Sequence, residues 1–78
     1  MHPVSTVATV IRQRLAAGEH PLAILRWLEA DHGFIWRHDR DPQLLRGHGV
    51  STSCTAGPHG LLTNWCASAD RKYNENSN

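Results

Sequence analysis

Two runs of apolar residues with helical spacing are separated by only Gly18, Glu19 and His20, and this junction restricts the chain more than any other feature. In the first run, Val4, Val7, Ile11 and Leu15 recur at three- and four-residue steps, with Ala8 on the same side and Val10 widening the stripe. Arg12, Gln13 and Arg14 take most of the other side. Residues 4–17 therefore read as an amphipathic helix with one stripe to bury. Its valines are weak helix formers, so packing must hold it. Gly18 supplies the stop, because glycine enters the left-handed region without a side-chain clash. The second run opens at Pro21, where a missing N–H costs nothing, and Glu19 lies near the positive end of this helix. Leu22, Leu25 and Leu28 form its stripe, Ile24 and Trp27 lie beside them, and Gly33 closes it. So short a link makes the two helices spatial neighbours, antiparallel or steeply crossed.

Beyond Gly33 the periodicity changes. Phe34 to His38 is a short β-prone run in which Phe34, Trp36 and His38 share a face. Gly49 to Cys54 is a second, with Val50, Thr52 and Cys54 alternating against Ser51 and Ser53. The two are expected to pair as a small antiparallel hairpin. Between them, Asp39 to Gly47 reads as a turn with a single helical turn: Asp41 caps it, Pro42 opens it, Leu44 and Leu45 pack, and Gly47 ends it. Thr55 to Gly60 reads as a loop. A last helix is expected over Leu61 to Lys72, with Leu62, Trp65, Cys66, Ala69 and Tyr73 on one face and Arg71 and Lys72 near its negative end.

The expected fold is α+β: two N-terminal helices, a small antiparallel hairpin and a C-terminal helix, in one domain over residues 1–73 with a polar tail at 74–78. The alternative is a small all-α domain with residues 33–54 irregular. The expected core is Val7, Ile11, Leu15, Leu25, Leu28, Phe34, Leu62 and Trp65.

At 78 residues the chain has room for one domain only. A domain this small buries roughly 60 to 65% of the surface its unfolded chain exposes, so a partner subunit, metal or disulfide would add materially to its stability. The formal net charge of +1 gives little steering toward nucleic acid or anionic membrane. Six histidines would raise that charge quickly below about pH 6.5. Arg12 and Arg14 interrupt the apolar run that a secretory leader would need, and no stretch approaches the ~20 apolar residues of a membrane span. Two cysteines are too few to mark a secreted disulfide scaffold. These features point to a cytoplasmic protein without a membrane partner.

Residues 47–69 contain no Asp, Glu, Lys or Arg, whereas the preceding residues carry six arginines and five acidic side chains. One origin is a Gly-, Ser- and Thr-rich loop followed by a buried helix. The other is a neutral docking surface, since interface centres are depleted in Lys, Glu and Asp and enriched in aromatics. On that reading Trp65 is the anchor if it faces outward, with His48, His59 and Leu61 around it.

Other chemistry is less well supported. His48, Cys54, His59 and Cys66 are a ligand set zinc accepts, but they lack a Cys-x2-Cys pair. A Cys54 nucleophile with His59 as base has no third group to orient it. The glycines form neither a dinucleotide fingerprint nor a phosphate-binding loop. No catalytic residue, cofactor or small-molecule substrate is expected.

Nucleic acid is an alternative partner. The first two helices resemble the opening of a helix-turn-helix in outline, and Arg12, Arg14, Arg26, Arg37, Arg40 and Arg46 would make a phosphate-binding patch if they converged. The leading expectation is a non-enzymatic protein-binding module: a small regulatory, inhibitory or assembly factor of the kind common in phages and mobile elements. Its partner would be another protein or a second copy in a homodimer. A zinc-stabilised domain is the remaining alternative.

Overall fold

A computed structural model describes the backbone of residues 3–39 and 41–76, and the side chains of residues 6–39 and 41–72. The elements run α1 (Pro3–Ala16), α2 (Pro21–His32), β1 (Ile35–Arg37), β2 (Gln43–Gly47), β3 (Val50–Cys54) and α3 (Pro58–Asn76). The fold is α+β, as expected, with a three-stranded antiparallel sheet ordered β1-β2-β3.

Both glycine stops behave as the sequence implies. Gly18 sits at φ +85°. The Glu19 N–H donates to Arg14 O at 3.1 Å and the Gly18 N–H to Leu15 O at 3.0 Å, the paired bonds of a Schellman end. Gly33 sits at φ +65°, and the Phe34 N–H reaches Leu28 O at 3.1 Å. The start of α2 has a cap that the sequence reading missed: His20 Nδ1 accepts from the Leu22 N–H at 3.2 Å. In α2 the buried stripe is Ile24, Leu25 and Leu28, while Leu22 is 38% exposed. Leu22, which its spacing placed on the stripe, is thus exposed, and Ile24 joins Leu25 and Leu28 in the core.

The expected pairing of Phe34–His38 with Gly49–Cys54 is corrected. Residues 43–47 are neither turn nor helix but the central strand, lying between the two expected ones. Ile35, Trp36 and Arg37 oppose Arg46, Leu45 and Leu44. Gln43 through Gly47 oppose Cys54 back to Val50. The Asp41–Pro42 bond is cis, and Pro42 precedes the strand instead of opening a helical turn. His48 (φ +52°) and Gly49 (φ +75°) form the two-residue link between β2 and β3. Positive φ at both positions matches the twist of the flanking strands.

The inner face of the sheet packs on α3, which also contacts α1 and α2. Every residue of the expected core is buried except Leu15, which is partly buried against it. Ala8, Ile24, Leu45, Val50, Leu61, Cys66 and Ala69 complete the buried cluster. Pro58 starts α3 three residues before the expected start, with the Leu61 N–H donating to Gly57 O at 3.0 Å. The helix also continues through 74–76, part of the expected tail. The side chains of Val4 and Tyr73, expected on buried stripes, lie outside the described residues, as do residues 77 and 78. No described helix is long and apolar enough to cross a membrane.

Candidate functional site

The uncharged stretch 47–69 resolves into core and connections. Trp65 and Leu61 are 0% exposed. Trp65 packs at a tilt against Phe34, 5.1 Å between centroids, and its Nε1–H donates to Val50 O at 3.2 Å. Neither residue can anchor a partner from inside the domain. The docking role required Trp65 to face outward, and it faces inward. α1, α2 and the sheet cover the α3 stripe of Leu61, Leu62, Trp65, Cys66 and Ala69, while His59, Thr63, Asn64 and Ala67 on the same helix are exposed. His48 and His59 remain exposed. His48 packs edge-on against Phe34 and His32, at centroid distances of 5.6 and 5.7 Å.

The four residues of the candidate zinc site are not brought together. Cys66 is buried with its Sγ directed at Ala8 O, 3.7 Å away. Burial pushes its thiol up to about 11, with nearby Arg12 opposing that shift and Asp70 adding to it. At neutral pH it is therefore a protonated thiol packed in the core. The Cys54 Sγ accepts from the Ala56 N–H at 3.3 Å, and no hydrogen bond joins Cys54 to His59. Among the described residues, no three His, Cys, Asp or Glu side chains cluster as metal ligands.

The arginines divide by environment. Arg12 reaches across from α1 to α3 and donates to both carboxylate oxygens of Asp70 from its two terminal guanidinium nitrogens, at 2.5 and 3.3 Å, which raises its pKa. Arg14 pairs with Glu19 at 3.4 Å and lies 4.2 Å over the Trp27 ring. Arg26 is exposed on α2, and Arg40 lies outside the described residues. Arg37 and Arg46, like Arg26, differ from Arg12 and Arg14 in having no ionic partner among the described residues, and both are exposed.

The strand register brings these two to one surface. Side chains alternate across a sheet, and directly opposed residues share a face. One outer row is therefore Ile35, Arg46 and Ser51, and the next is Arg37, Leu44 and Ser53. Each row holds one arginine, one aliphatic residue and one serine, and the first two alternate between β1 and β2. Ile35 is 50% exposed, Leu44 is half-buried, and both serines are exposed. The opposite face holds Trp36, Leu45 and Thr52, with Val50 and Cys54, and turns toward the helices. Ile35, Leu44, Ser51 and Ser53 had no place among the expected contact residues. Alternation in β3 marked the serines as outward, but Gln-Leu-Leu-Arg-Gly has no clean two-residue period to reveal β2.

The chain matches no family model, no curated protein and no solved structure.

Proposed function

We propose that this protein is a non-enzymatic protein-binding module that docks a partner on the outer face of its sheet. The observation carrying this reading is an exposed isoleucine flanked by two arginines with no ionic partner among the described residues, on a sheet whose opposite face packs on the helices. Aliphatic side chains in contact with arginine form a mixed surface of the kind that interfaces use. The charge on this face is positive and uncompensated by strand neighbours, so the complementary partner is a protein surface with carboxylates around an apolar centre. A small regulatory, inhibitory or assembly factor acting in the cytoplasm fits this reading. Two free cysteines are compatible with that compartment.

The test compares affinity capture by the wild-type chain with capture by Arg37→Glu/Arg46→Glu, both checked for folding by circular dichroism. A cross-linker attached at Ile35→Cys then maps the contact residues of whatever protein is retained. Charge reversal should cost about tenfold or more in affinity, and the cross-links should fall among acidic residues. A partner held equally well by the reversed variant would overturn the assignment. Retention of nucleic acid alone, released by salt, would replace protein with phosphate backbone as the occupant.

A further inference from the structure

We infer that β3 is a self-association edge, through which a second copy of this chain extends the sheet to six strands. This does not rest on the partner reading above. In a two-residue hairpin the flanking pair exchanges hydrogen bonds, here Gly47 with Val50, and bonded pairs then recur at every second residue. Val50, Thr52 and Cys54 thus direct their backbone groups toward β2, while Ser51 and Ser53 direct theirs away from it. Four backbone groups, two N–H and two C=O, are left along one edge, and no hydrogen bond to Ser51 or Ser53 from elsewhere in the described chain takes them up.

Natural sheets protect such an edge with charge, proline or brevity. The other edge has two of these: β1 is three residues long and carries Arg37. β3 has five residues, Val-Ser-Thr-Ser-Cys, with no charge and no proline.

The occupant follows from self-complementarity. A two-fold axis perpendicular to the sheet, midway between Thr52 and Thr52 of the second copy, sets Ser51 opposite Ser53 of the second copy and Ser53 opposite its Ser51. Both pairs exchange two hydrogen bonds, so all four free groups are satisfied in one register. The outer row of one copy then runs on into that of the other, from Ile35, Arg46 and Ser51 into Ser53, Leu44 and Arg37 of the second chain. Electrostatics do not oppose this. The closest arginines on the outer face of the two copies are the two Arg46 side chains, three strand spacings across and two residues along the strands, or about 16 Å apart, beyond the ~8 Å screening length at physiological salt.

Sedimentation of the wild-type chain from micromolar to millimolar concentration should show its mass doubling. The Ser51 and Ser53 amides should gain protection from hydrogen exchange over the same range. Ser53→Pro removes an outward N–H at an edge position where proline is tolerated, and should give a folded monomer. If that variant does not fold, charge pairs decide. Ser51→Lys/Ser53→Lys opposes like charges across the axis and should be monomeric, whereas Ser51→Glu/Ser53→Lys opposes unlike charges and should dimerise. A wild-type chain that stays monomeric at millimolar concentration overturns the inference, as does a dimer that persists in folded Ser53→Pro or in the double-lysine variant.

Discussion

Replacing Gly47 with alanine tests the packing of this domain at its tightest point. A Cβ at position 47 would lie only 2.5 Å from both Cε1 and Cγ of Phe34, far inside ordinary carbon–carbon contact. The ring cannot swing clear, because it packs against Trp65 on one side and His32 and His48 on others. Forcing an extra carbon into a filled site costs about 1 to 3 kcal/mol, and the lower unfolded-state entropy of alanine offsets about 0.4 to 1 kcal/mol. Contacts this short place the cost in the upper half of the first range, about 2 to 3 kcal/mol, so the net loss should be about 1 to 2.5 kcal/mol. A chain of this length has roughly 4 to 12 kcal/mol of stability in total, so Tm should fall by about 5 to 15 °C. Urea and thermal melts measure this directly, and Phe34→Leu supplies the control. If the ring is the obstacle, Gly47→Ala should cost clearly less in the Phe34→Leu background. A neutral Gly47→Ala, or fully additive losses in the double variant, would refute the account.

Two further predictions concern the buried face of α3. Trp65→Ala should cost about 3 to 5 kcal/mol in urea melts, whereas Trp65→Phe should cost about 1 to 3 kcal/mol, since the Val50 carbonyl keeps its strand partner when the indole donor is lost; a cost below about 0.5 kcal/mol for alanine would put Trp65 back on the surface. The folded state holds the Cys66 proton more tightly than the unfolded chain, whose thiol titrates near 9.0 against about 11 when folded. Stability from this group is thus complete below pH 9 and is lost as pH rises toward 11, by about 2 to 3 kcal/mol. Cys66→Ala should flatten that part of the stability profile, and an unchanged slope would contradict the assignment.

Much of the helical part of this protein is set within the sequence itself. Gly18 and Gly33 stop their helices because left-handed backbone is a local demand that a single residue meets. The spacing of Leu62, Trp65, Cys66 and Ala69 identified the buried side of α3, since a helix draws its hydrogen bonds from its own neighbours and its pattern is complete within the segment. Strand β2 has no such local signature. Its backbone bonds come from β1 and β3, so Gln43–Gly47 becomes a strand only when both partners are in place. That missed strand also hid the candidate surface: without its register, nothing sets Ile35 beside Arg46 or Leu44 beside Arg37. Tertiary structure likewise separated the arginines. Arg12 is joined to Asp70 from 58 residues away, whereas the strand register leaves Arg37 and Arg46 on an open face. Local periodicity fixes what a helix buries, but long-range pairing decides which charged side chains find partners and which remain exposed to a second molecule.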